Sequence, residues 1–408
     1  MNKTVKRLLI GIPAAAAVCA LIFFLQGRNR KKDSPDAGNE EYRYDIVDNT
    51  QNYSEHSVLY LDDSKRLHMI DTATGKDMIY CDKPNCTHEG YSRKNLNPSC
   101  PAAFQGLNCC GTVLHNRHLY FIGNMADEDL RTKYLYVMDA NGENRRKTAK
   151  LEGVERIPYV LYRDHYVVGS YDNVCELTED GQVISNDKYE TGIFVIDLDD
   201  YSVQMGNKIT DGQPVITGIH YENGSVYYLA VHYGEGITDQ MVSEAFTGDF
   251  EAFYNEHLEY DLYRYDIAEK ETVLVKTLKH VKSPQMAESD VYFFTEDGLF
   301  AYDGKSGETK QIPIANASGQ MQKAKDAAYI GAYSDDRSER IYYRVKNGQI
   351  EELMRRPSDD SFIIAAICGE SVYIDYTENG QYWLCVLSMD DFNHNRFNPR
   401  KLRNYDEE

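Results

Sequence analysis

Positive charge is scarce in this sequence, which has 408 residues, 65 Asp and Glu against 44 Lys and Arg, and a net charge of −21. Seven of the basic residues and none of the acidic ones lie in residues 1–32, so the rest of the chain carries 37 positive and 65 negative charges. A surface this acidic repels phosphate backbones. We therefore expect no nucleic-acid partner.

The motifs of common catalytic and nucleotide-binding sites are also missing. The sequence has no G-x-S-x-G nucleophile elbow, no H-E-x-x-H zinc helix, no phosphate-cradling glycine loop and no dinucleotide fingerprint. It has no C-x-x-C redox pair either. These absences favour a binding protein over an enzyme, although a pair of catalytic carboxylates drawn from distant positions would leave no such motif.

Long hydrophobic runs are absent apart from one near the start of the sequence. Residues 8–25 carry no charge and are long enough to cross a bilayer as a helix. No A-x-A-like cleavage site follows them, and Val18 stands before Cys19 where a lipoprotein signal has a small residue. We predict an uncleaved single-pass membrane anchor in residues 1–32, with a lipoprotein as the alternative. A polar linker at residues 33–42 then leads to an extracytoplasmic body.

A repeated pattern fills the remaining chain. A strand-like apolar run ends in Asp and follows a second run rich in Val, Ile, Tyr and Phe. Five copies end in Asp71, Asp139, Asp197, Asp266 and Asp303, and degenerate copies lie at residues 341–345 and 383–387. Asp-Gly and Asn-Gly pairs predict tight hairpins between antiparallel strands. Seven copies of roughly 50 residues predict an all-β, seven-bladed β-propeller over residues 43–408, with six or eight blades as alternatives.

The Asp that ends each copy is most simply a turn residue, because an Asp side chain accepts hydrogen bonds from the backbone amides that follow it. A repeated calcium site is the alternative. We expect no resident cofactor on this basis, with calcium at these positions or zinc at the cysteine segment as the other possibilities.

Five of the nine cysteines crowd into residues 81–110. The spacing C-x4-C-x-H-x11-C brings Cys81, Cys86, His88 and Cys100 into one polar loop, and three thiolates with one imidazole can complete a tetrahedral zinc site. The C-x4-C spacing is wider than that of the usual zinc knuckle, and disulfides are favoured outside the cell. We therefore predict disulfides in this loop, with zinc held by these four residues as the alternative.

Three long connections join the second and third strands of blades 2, 3 and 4. They lie at residues 123–133, 171–190 and 234–259 and carry net charges of −1, −5 and −7. In a four-stranded meander these loops and the cysteine segment leave the same face of the ring. The last connection has helical spacing with Thr238 as its N-cap, Met241 among the residues of its apolar side, and a break at Gly248. That apolar side is expected to pack on the propeller rim.

Long loops on a rigid scaffold are where function tends to lie. We predict a non-catalytic binding or scaffolding propeller at the cell membrane whose acidic face recognises a protein, peptide or glycan. The alternative is an extracellular carbohydrate-active lyase or hydrolase with its site in the central funnel.

The repeat, the apolar start and the segment Cys81-Asp-Lys-Pro-Asn-Cys86-Thr-His88, followed by Cys100, resemble membrane-anchored extracytoplasmic β-propeller proteins of anaerobic Gram-positive bacteria. The resemblance implies location and architecture, and it implies no biochemical activity.

Overall fold

Short runs of β-branched and aromatic residues form 29 strands in seven antiparallel sheets. The structure is a computed structural model that describes residues 44–46 and 51–406, except residues 93, 96–97, 104–109, 116–117, 124–131, 178–182, 246–249, 325–326 and 347–348. The predicted anchor lies outside these residues. Within the part of the chain that is described, no helix is long and apolar enough to cross a membrane.

Each sheet is one blade of four consecutive strands, called A to D in chain order. Blade 1 contains β2 (Gln51–Tyr53), β3 (Ser57–Leu61), β4 (Leu67–Asp71) and β5 (Asp77–Ile79). Blade 2 contains β6 (Cys110–His115), β7 (His118–Gly123), β8 (Thr132–Asp139) and β9 (Arg146–Glu152). Blade 3 contains β10 (Val160–Arg163), β11 (Tyr166–Leu177), β12 (Val183–Asp197) and β13 (Val203–Met205).

Blades 4 and 5 contain β14 (Val215–Glu222), β15 (Ser225–Tyr233), β16 (Leu258–Asp266) and β17 (Glu271–Lys279); and β18 (Lys282–Ala287), β19 (Asp290–Thr295), β20 (Gly298–Asp303) and β21 (Thr309–Ile312). Blades 6 and 7 contain β22 (Ala317–Ala324), β23 (Ala327–Tyr333), β24 (Glu339–Lys346) and β25 (Gln349–Pro357); and β26 (Phe362–Cys368), β27 (Ser371–Glu378), β28 (Gln381–Ser388) and β29 (Arg400–Asn404). The remaining described elements are one further strand, β1 (Tyr44–Ile46), three α-helices, α1 (Asp239–Ala245), α2 (Phe250–His257) and α3 (Met389–Asn393), and one short 3-10 helix at Ser358–Asp360.

The seven-bladed ring confirms the predicted fold class and blade count. All seven of the predicted strand pairs form the B and C strands of successive blades. The A strands of neighbouring blades contact one another and so surround the central channel. Seven clusters of buried hydrophobic residues fill the described core, one at each interface between neighbouring blades.

The repeated Asp residues act as the turn residues that the sequence predicts. The carboxylate of Asp303 accepts hydrogen bonds from the amides of Lys305 and Ser306, at 2.8 and 3.0 Å. Asp71, Asp197 and Asp266 accept from the amides of their own turns in the same way. These bonds hold the turns from strand C to strand D, which explains why Asp recurs there.

Among the described strands, no blade combines the two ends of the propeller, so the ring closes at a seam between blades 7 and 1 through side chains and loops. Tyr373 donates its hydroxyl proton to the carbonyl oxygen of Ser54 at 2.5 Å, and Ser371 donates to the carbonyl of Glu55 at 2.9 Å. The guanidinium of Arg403 lies over the Tyr60 ring at 4.2 Å. A buried apolar cluster lies beneath these contacts.

Two features differ from the sequence-based expectations. Residues 171–190 were expected to be a loop, but β11 and β12 pair from Tyr166↔Asp197 out to Leu177↔Val183, so most of this segment is a long hairpin. The cause is continued backbone pairing through a bulge between Asn173 and Cys175. In addition, β1 joins the A strand of blade 3, although the chain between them includes all of blades 1 and 2.

Candidate metal centre

The cysteine segment follows the outermost strand of blade 1 and folds back on the B–C turn of that blade. Positive φ angles at Asn85 and His88 reverse its direction. Gly90 lies against Ser64, where an added Cβ would fall 2.4 Å from the Ser64 Cβ, so only glycine fits there. The amide of Tyr91 then donates to the Ser64 carbonyl at 2.7 Å.

This folding brings all four predicted ligands together. The thiol sulfurs of Cys81, Cys86 and Cys100 and a ring nitrogen of His88 all lie within 4.8 Å of one another. The Cys100 Sγ is 3.7 Å from the His88 Nδ1. In a tetrahedral zinc site with Zn–S and Zn–N bonds of about 2.3 and 2.0 Å, the separation of sulfur and nitrogen ligands is ~3.5 Å. The group therefore has nearly the dimensions of a zinc site.

Five cysteines have side chains that the structure describes, and all five are free thiols: Cys81, Cys86, Cys100, Cys368 and Cys385. The disulfides that we predicted for the loop are therefore not found among Cys81, Cys86 and Cys100. Their thiols approach a common centre instead of pairing, because the turns at Asn85 and His88 direct Cys86 and His88 inward. Cys109, Cys110 and Cys175 have side chains outside the description.

The ligands are held by the blade 1–blade 2 interface. Cys100 is 3 % exposed and belongs to the cluster that fills this interface, together with Ala102 and Ala103. The amide of Leu67 in β4 donates to the Ala102 carbonyl at 2.7 Å. One ligand is thus fixed by the core, and the remaining three lie in the loop above it.

Arg66 supports the opposite side of the centre. Its guanidinium donates to the carbonyl of His88 at 3.2 Å and forms an ion pair with Asp62 at 2.5 Å. Burial opposes ionisation of Asp62, but hydrogen bonds from His68 and Arg66 prevail and hold its pKa below the ordinary value. Sequence reasoning missed this support, since Asp62 and Arg66 look like ordinary residues of a polar turn.

The three thiols have different proton affinities without a metal. Burial raises the pKa of Cys100 to about 12 and also raises the pKa of Cys81. Burial opposes ionisation of Cys86 as well, but the backbone amide of His88 and the neighbouring thiols lower its pKa. A divalent cation would reverse the effect of burial, because a coordinating thiol loses its proton outright.

The segment that follows Cys100 continues along the rim of the ring. Arg145, in the C–D turn of blade 2, donates to the carbonyls of Pro101 and Ala103, each at 3.0 Å. Gly142 of the same turn packs against Pro101. The cysteine segment therefore leaves the ring on the face of the B–C loops and extends around the rim toward the other face.

The insertion of blade 4 is helical, as predicted, in two pieces formed by α1 and α2. The Thr238 hydroxyl accepts from the amide of Met241 at 3.3 Å, which confirms the cap. Val242 is buried, and Phe250, Phe253 and Tyr254 pack on the blade 4 core, so the apolar side covers the rim. Met241, which we placed on that side, is exposed because it precedes the buried position by one residue.

A second ionisable group lies where this insertion leaves the blade. The His232 Nε2 is 3.2 Å from Asp261 Oδ2, and its Nδ1 is 3.0 Å from the Tyr233 carbonyl oxygen. Thr277 and Tyr263 donate to the Asp261 carboxylate at 2.6 and 3.0 Å. Sequence reasoning missed this group, since its members lie on three adjacent strands.

A third cluster joins His165, Asp197 and Asp199, whose ligand atoms also lie within 4.8 Å of one another. It lies on the face of the A–B and C–D turns. Asp197 already serves its turn by accepting from the Asp199 amide at 2.8 Å. The cluster is accounted for as a solvated turn with an adjacent histidine.

No family model matches the chain, and no curated protein matches its sequence. Among solved structures, the chain is similar to the β-propeller domain of the Trilobed protease from Pyrococcus furiosus, a domain with an open velcro topology. The TM-score is 0.51 at 11% identity, over 90% of this chain and 100% of that one. This likeness establishes the β-propeller fold.

Two further structures are more distant. Dipeptidyl peptidase 4 of Porphyromonas gingivalis aligns with a TM-score of 0.46 at 10% identity over 91% of this chain, which spans 62% of the peptidase. An oligogalacturonate lyase from Vibrio parahaemolyticus aligns with a TM-score of 0.43 at 14% identity, over 90% of this chain and 87% of the lyase. At such identities the likeness concerns the fold alone.

Proposed function

We propose that this chain is a membrane-anchored, extracytoplasmic binding or scaffolding propeller in which a zinc ion fixes the cysteine segment. One observation carries the zinc site: four ligand atoms of zinc-binding type lie within 4.8 Å of one another. The ion would replace the stapling role that disulfides play in other loop-rich surface segments. All four positions are filled by protein ligands, which is typical of structural rather than catalytic zinc.

The zinc site is tested on the full chain purified in detergent. We expect one zinc per chain by elemental analysis, and cobalt substitution should give the absorption bands of a tetrahedral thiolate complex. Cys86→Ser and His88→Ala should abolish stoichiometric binding, whereas the matched variant Cys368→Ser, at a half-buried thiol in blade 7, should retain it. Zinc below 0.1 per chain in the unaltered protein, with the thiols reduced, would overturn the site.

The binding face is proposed to be the one that carries the B–C loops of blades 2 to 4. Its described acidic side chains include Glu235, Glu244 and Glu256 of the blade 4 insertion, all of which are exposed. Exposed carboxylates on a rigid rim attract a cationic partner. At 0.1 M salt, this attraction is largely screened at separations beyond about 10 Å. We therefore propose a lysine- or arginine-rich protein or peptide at the cell surface as the partner.

A lysine-rich peptide is the probe for this face. Replacing Glu235, Glu244 and Glu256 with Gln should weaken its binding several-fold at low salt and should reduce the salt dependence. The matched control replaces Glu269, Glu271 and Glu308 with Gln, which removes equal charge from the C–D ends of blades 4 and 5. Equal weakening by both triple variants would show that net charge alone is responsible.

The second candidate is a carbohydrate-active enzyme with its site in the central funnel. Several structurally similar proteins are peptidases and oligogalacturonate lyases, which fits an enzyme better than the binding function. The direct test is incubation of the full chain with oligogalacturonates, with and without manganese. Conjugated alkene formed by β-elimination and detected by ultraviolet absorbance would favour the enzyme.

The proposed location has its own test. N-terminal sequencing of the mature protein from membranes should show that residues 8–25 are retained. A mature chain that begins at Cys19 or later would contradict the uncleaved anchor.

A further inference from the structure

We propose that β1 threads the central channel of the propeller, with its N-terminal end toward the face of the A–B and C–D turns. The inference goes beyond the proposed binding function and does not depend on zinc. It distinguishes the two faces of the ring. The N-terminal end of β1 points to one face, and the B–C loops lie on the opposite face.

The evidence is the pairing of β1. Tyr44, Asp45 and Ile46 pair antiparallel with Tyr162, Leu161 and Val160 of β10. β10 is the A strand of blade 3, and its other edge is occupied by β11. The only place for a fifth strand on that edge is the channel side of the blade. Paired strands lie about 4.8 Å apart, so β1 lies inside the channel.

The register also fixes the direction of the chain. β10 begins at Val160 on the face of the D–A connections and ends at Arg163 beside the A–B turn. Tyr44 is level with Tyr162 and Ile46 with Val160, so β1 runs from the A–B face to the D–A face. It then reaches β2, the A strand of blade 1, which starts from the D–A face. The N-terminal end of β1, at Tyr44, therefore points toward the face of the A–B and C–D turns.

This path has a physical rationale in the open seam. The inner edge of β10 would otherwise present unpaired amide and carbonyl groups to the channel, and such groups are costly where water is restricted. Since β1 belongs covalently to blade 1, its pairing ties blade 1 to blade 3 across the channel. It thus adds a link inside a ring that has no blade shared between its two ends.

Two consequences follow for ligands. A substrate that must enter a central funnel meets a strand already paired to blade 3, so the channel enzyme requires β1 to leave. The second consequence is that the acidic B–C loops lie on the face opposite the N-terminal end of β1, where β1 does not obstruct a soluble cationic partner.

Cross-linking in the full chain tests the threading. Asp45→Cys with Leu161→Cys places two thiols on directly paired residues, and mild oxidation should join them, as mapped by mass spectrometry of the linked peptides. The matched control is Asp45→Cys with Gln285→Cys on β18, the A strand of blade 5. The first pair should cross-link at least ten-fold faster. Equal rates, or no link in either protein, would overturn the proposal.

A measurement on the unaltered chain guards against misfolding of these variants. Amide hydrogen exchange at residues 44–46 should be slowed at least 100-fold relative to an unstructured peptide, because these amides are paired in the channel. Exchange at the unstructured rate would contradict threading even if the cysteine variants failed to fold.

The outcome is separable from that of the binding function. The cross-linked protein should still bind the lysine-rich peptide, since its acidic side chains lie outside the channel. If cross-linking abolished an enzymatic activity of the chain, the result would still support threading. If the peptide also failed to bind in every sample, the enzyme alternative would replace the binding function.

Discussion

At the scale of single residues, the repeated Asp is the most informative position in this chain. It appears in the sequence as the end of a strand and in the structure as the acceptor for its own turn. Burial opposes ionisation of Asp303, but hydrogen bonds from the amides of Ser306 and Lys305 together outweigh it and lower its pKa. The carboxylate form is therefore the one that stabilises the turn, above its ordinary pKa of about 4.

Replacing Asp303 with Ala should lower stability by about 1 kcal/mol, because two turn amides lose their acceptor. Asp303→Asn keeps an oxygen acceptor and should cost less. The free energy of local opening, measured by hydrogen exchange in β20 and β21, checks the difference. Equal losses in both variants would show that the charge, rather than the hydrogen bonds, matters.

A pH dependence is expected where the insertion joins blade 4. Both His232 nitrogens face acceptors, so the imidazolium is the form that donates through both. The hydrogen bond to Asp261 raises the pKa of His232, with burial opposing it. Burial opposes ionisation of Asp261, but hydrogen bonds from His232 and Thr277 lower its pKa. Glu259 also lies near His232 and is paired with Lys279 at 2.5 Å.

The sign follows from these directions. The contribution of His232 is present below its unfolded pKa of about 6.5 and is lost as pH rises through its higher folded pKa. The contribution of Asp261 is present above about pH 4 and is lost as pH falls. The protection of amides in β15 and β16 against hydrogen exchange, relative to an unstructured peptide at the same pH, should be greatest between these limits. His232→Gln should remove the loss of protection above pH 6.5. A titration of His232 at or below pH 6.5 would contradict the assignment.

At the scale of elements, the sequence pattern of the blade 4 insertion predicts helices correctly but misplaces the buried side of the first helix by one residue. The spacing of apolar residues predicts two short helices with one buried side, and both form. The buried residue of the first turn is Val242, whereas Met241 is 38 % exposed. A shift of one residue rotates a helix by about 100°, which only the surface beneath it can decide.

The insertion should be anchored by its aromatic side chains. Phe253 lies 6.2 Å from the Tyr233 ring and 4.5 Å from the His257 ring, measured between centroids. Phe253→Ala should destabilise the insertion by about 2 kcal/mol, less than for a fully buried Phe because the side chain is half-buried. Met241→Ala, on the exposed side, should change stability by less than about 0.5 kcal/mol. Protease cleavage in the insertion and the thermal unfolding curve measure both.

At the scale of the whole molecule, the ring depends on a seam that no shared sheet closes. Its polar contacts are concentrated in a few groups of blades 7 and 1, among them the hydrogen bond from Tyr373 to Ser54. Arg400 adds a hydrogen bond to the Thr72 carbonyl at 2.6 Å. Side-chain contacts therefore join blade 7 to blade 1, whereas backbone hydrogen bonds join the strands within each blade.

Tyr373→Phe should cost about 1–2 kcal/mol, because the Ser54 carbonyl becomes a buried acceptor without a donor. Tyr342→Phe is the matched control, since Tyr342 donates to the Phe362 carbonyl at 2.7 Å between blades 6 and 7. Tyr342→Phe should lose at least as much stability, because the Tyr342 hydroxyl also accepts from the Phe362 amide at 3.1 Å. Only Tyr373→Phe should speed hydrogen exchange at both ends of the ring. The same exchange pattern in both variants would show that the seam is no weaker than other interfaces.

The sequence by itself determined the strands, their order and the blade count, because each rests on local signals. Alternating apolar runs form strands wherever they lie, and the pair Asn379-Gly380 supplies the positive φ angles of a hairpin turn. The four metal-ligand candidates were also readable, since they lie within 20 residues and must share one loop.

Only the tertiary structure decided how distant parts meet. It decided that the loop thiols converge without pairing, because Arg66 and Leu67 hold the segment from a separate turn and strand. It joined His232 to Asp261 across neighbouring strands. It also placed β1 against blade 3, a pairing separated by more than 100 residues of chain. Contacts of that kind depend on the closure of the ring, and no local pattern of residues encodes it.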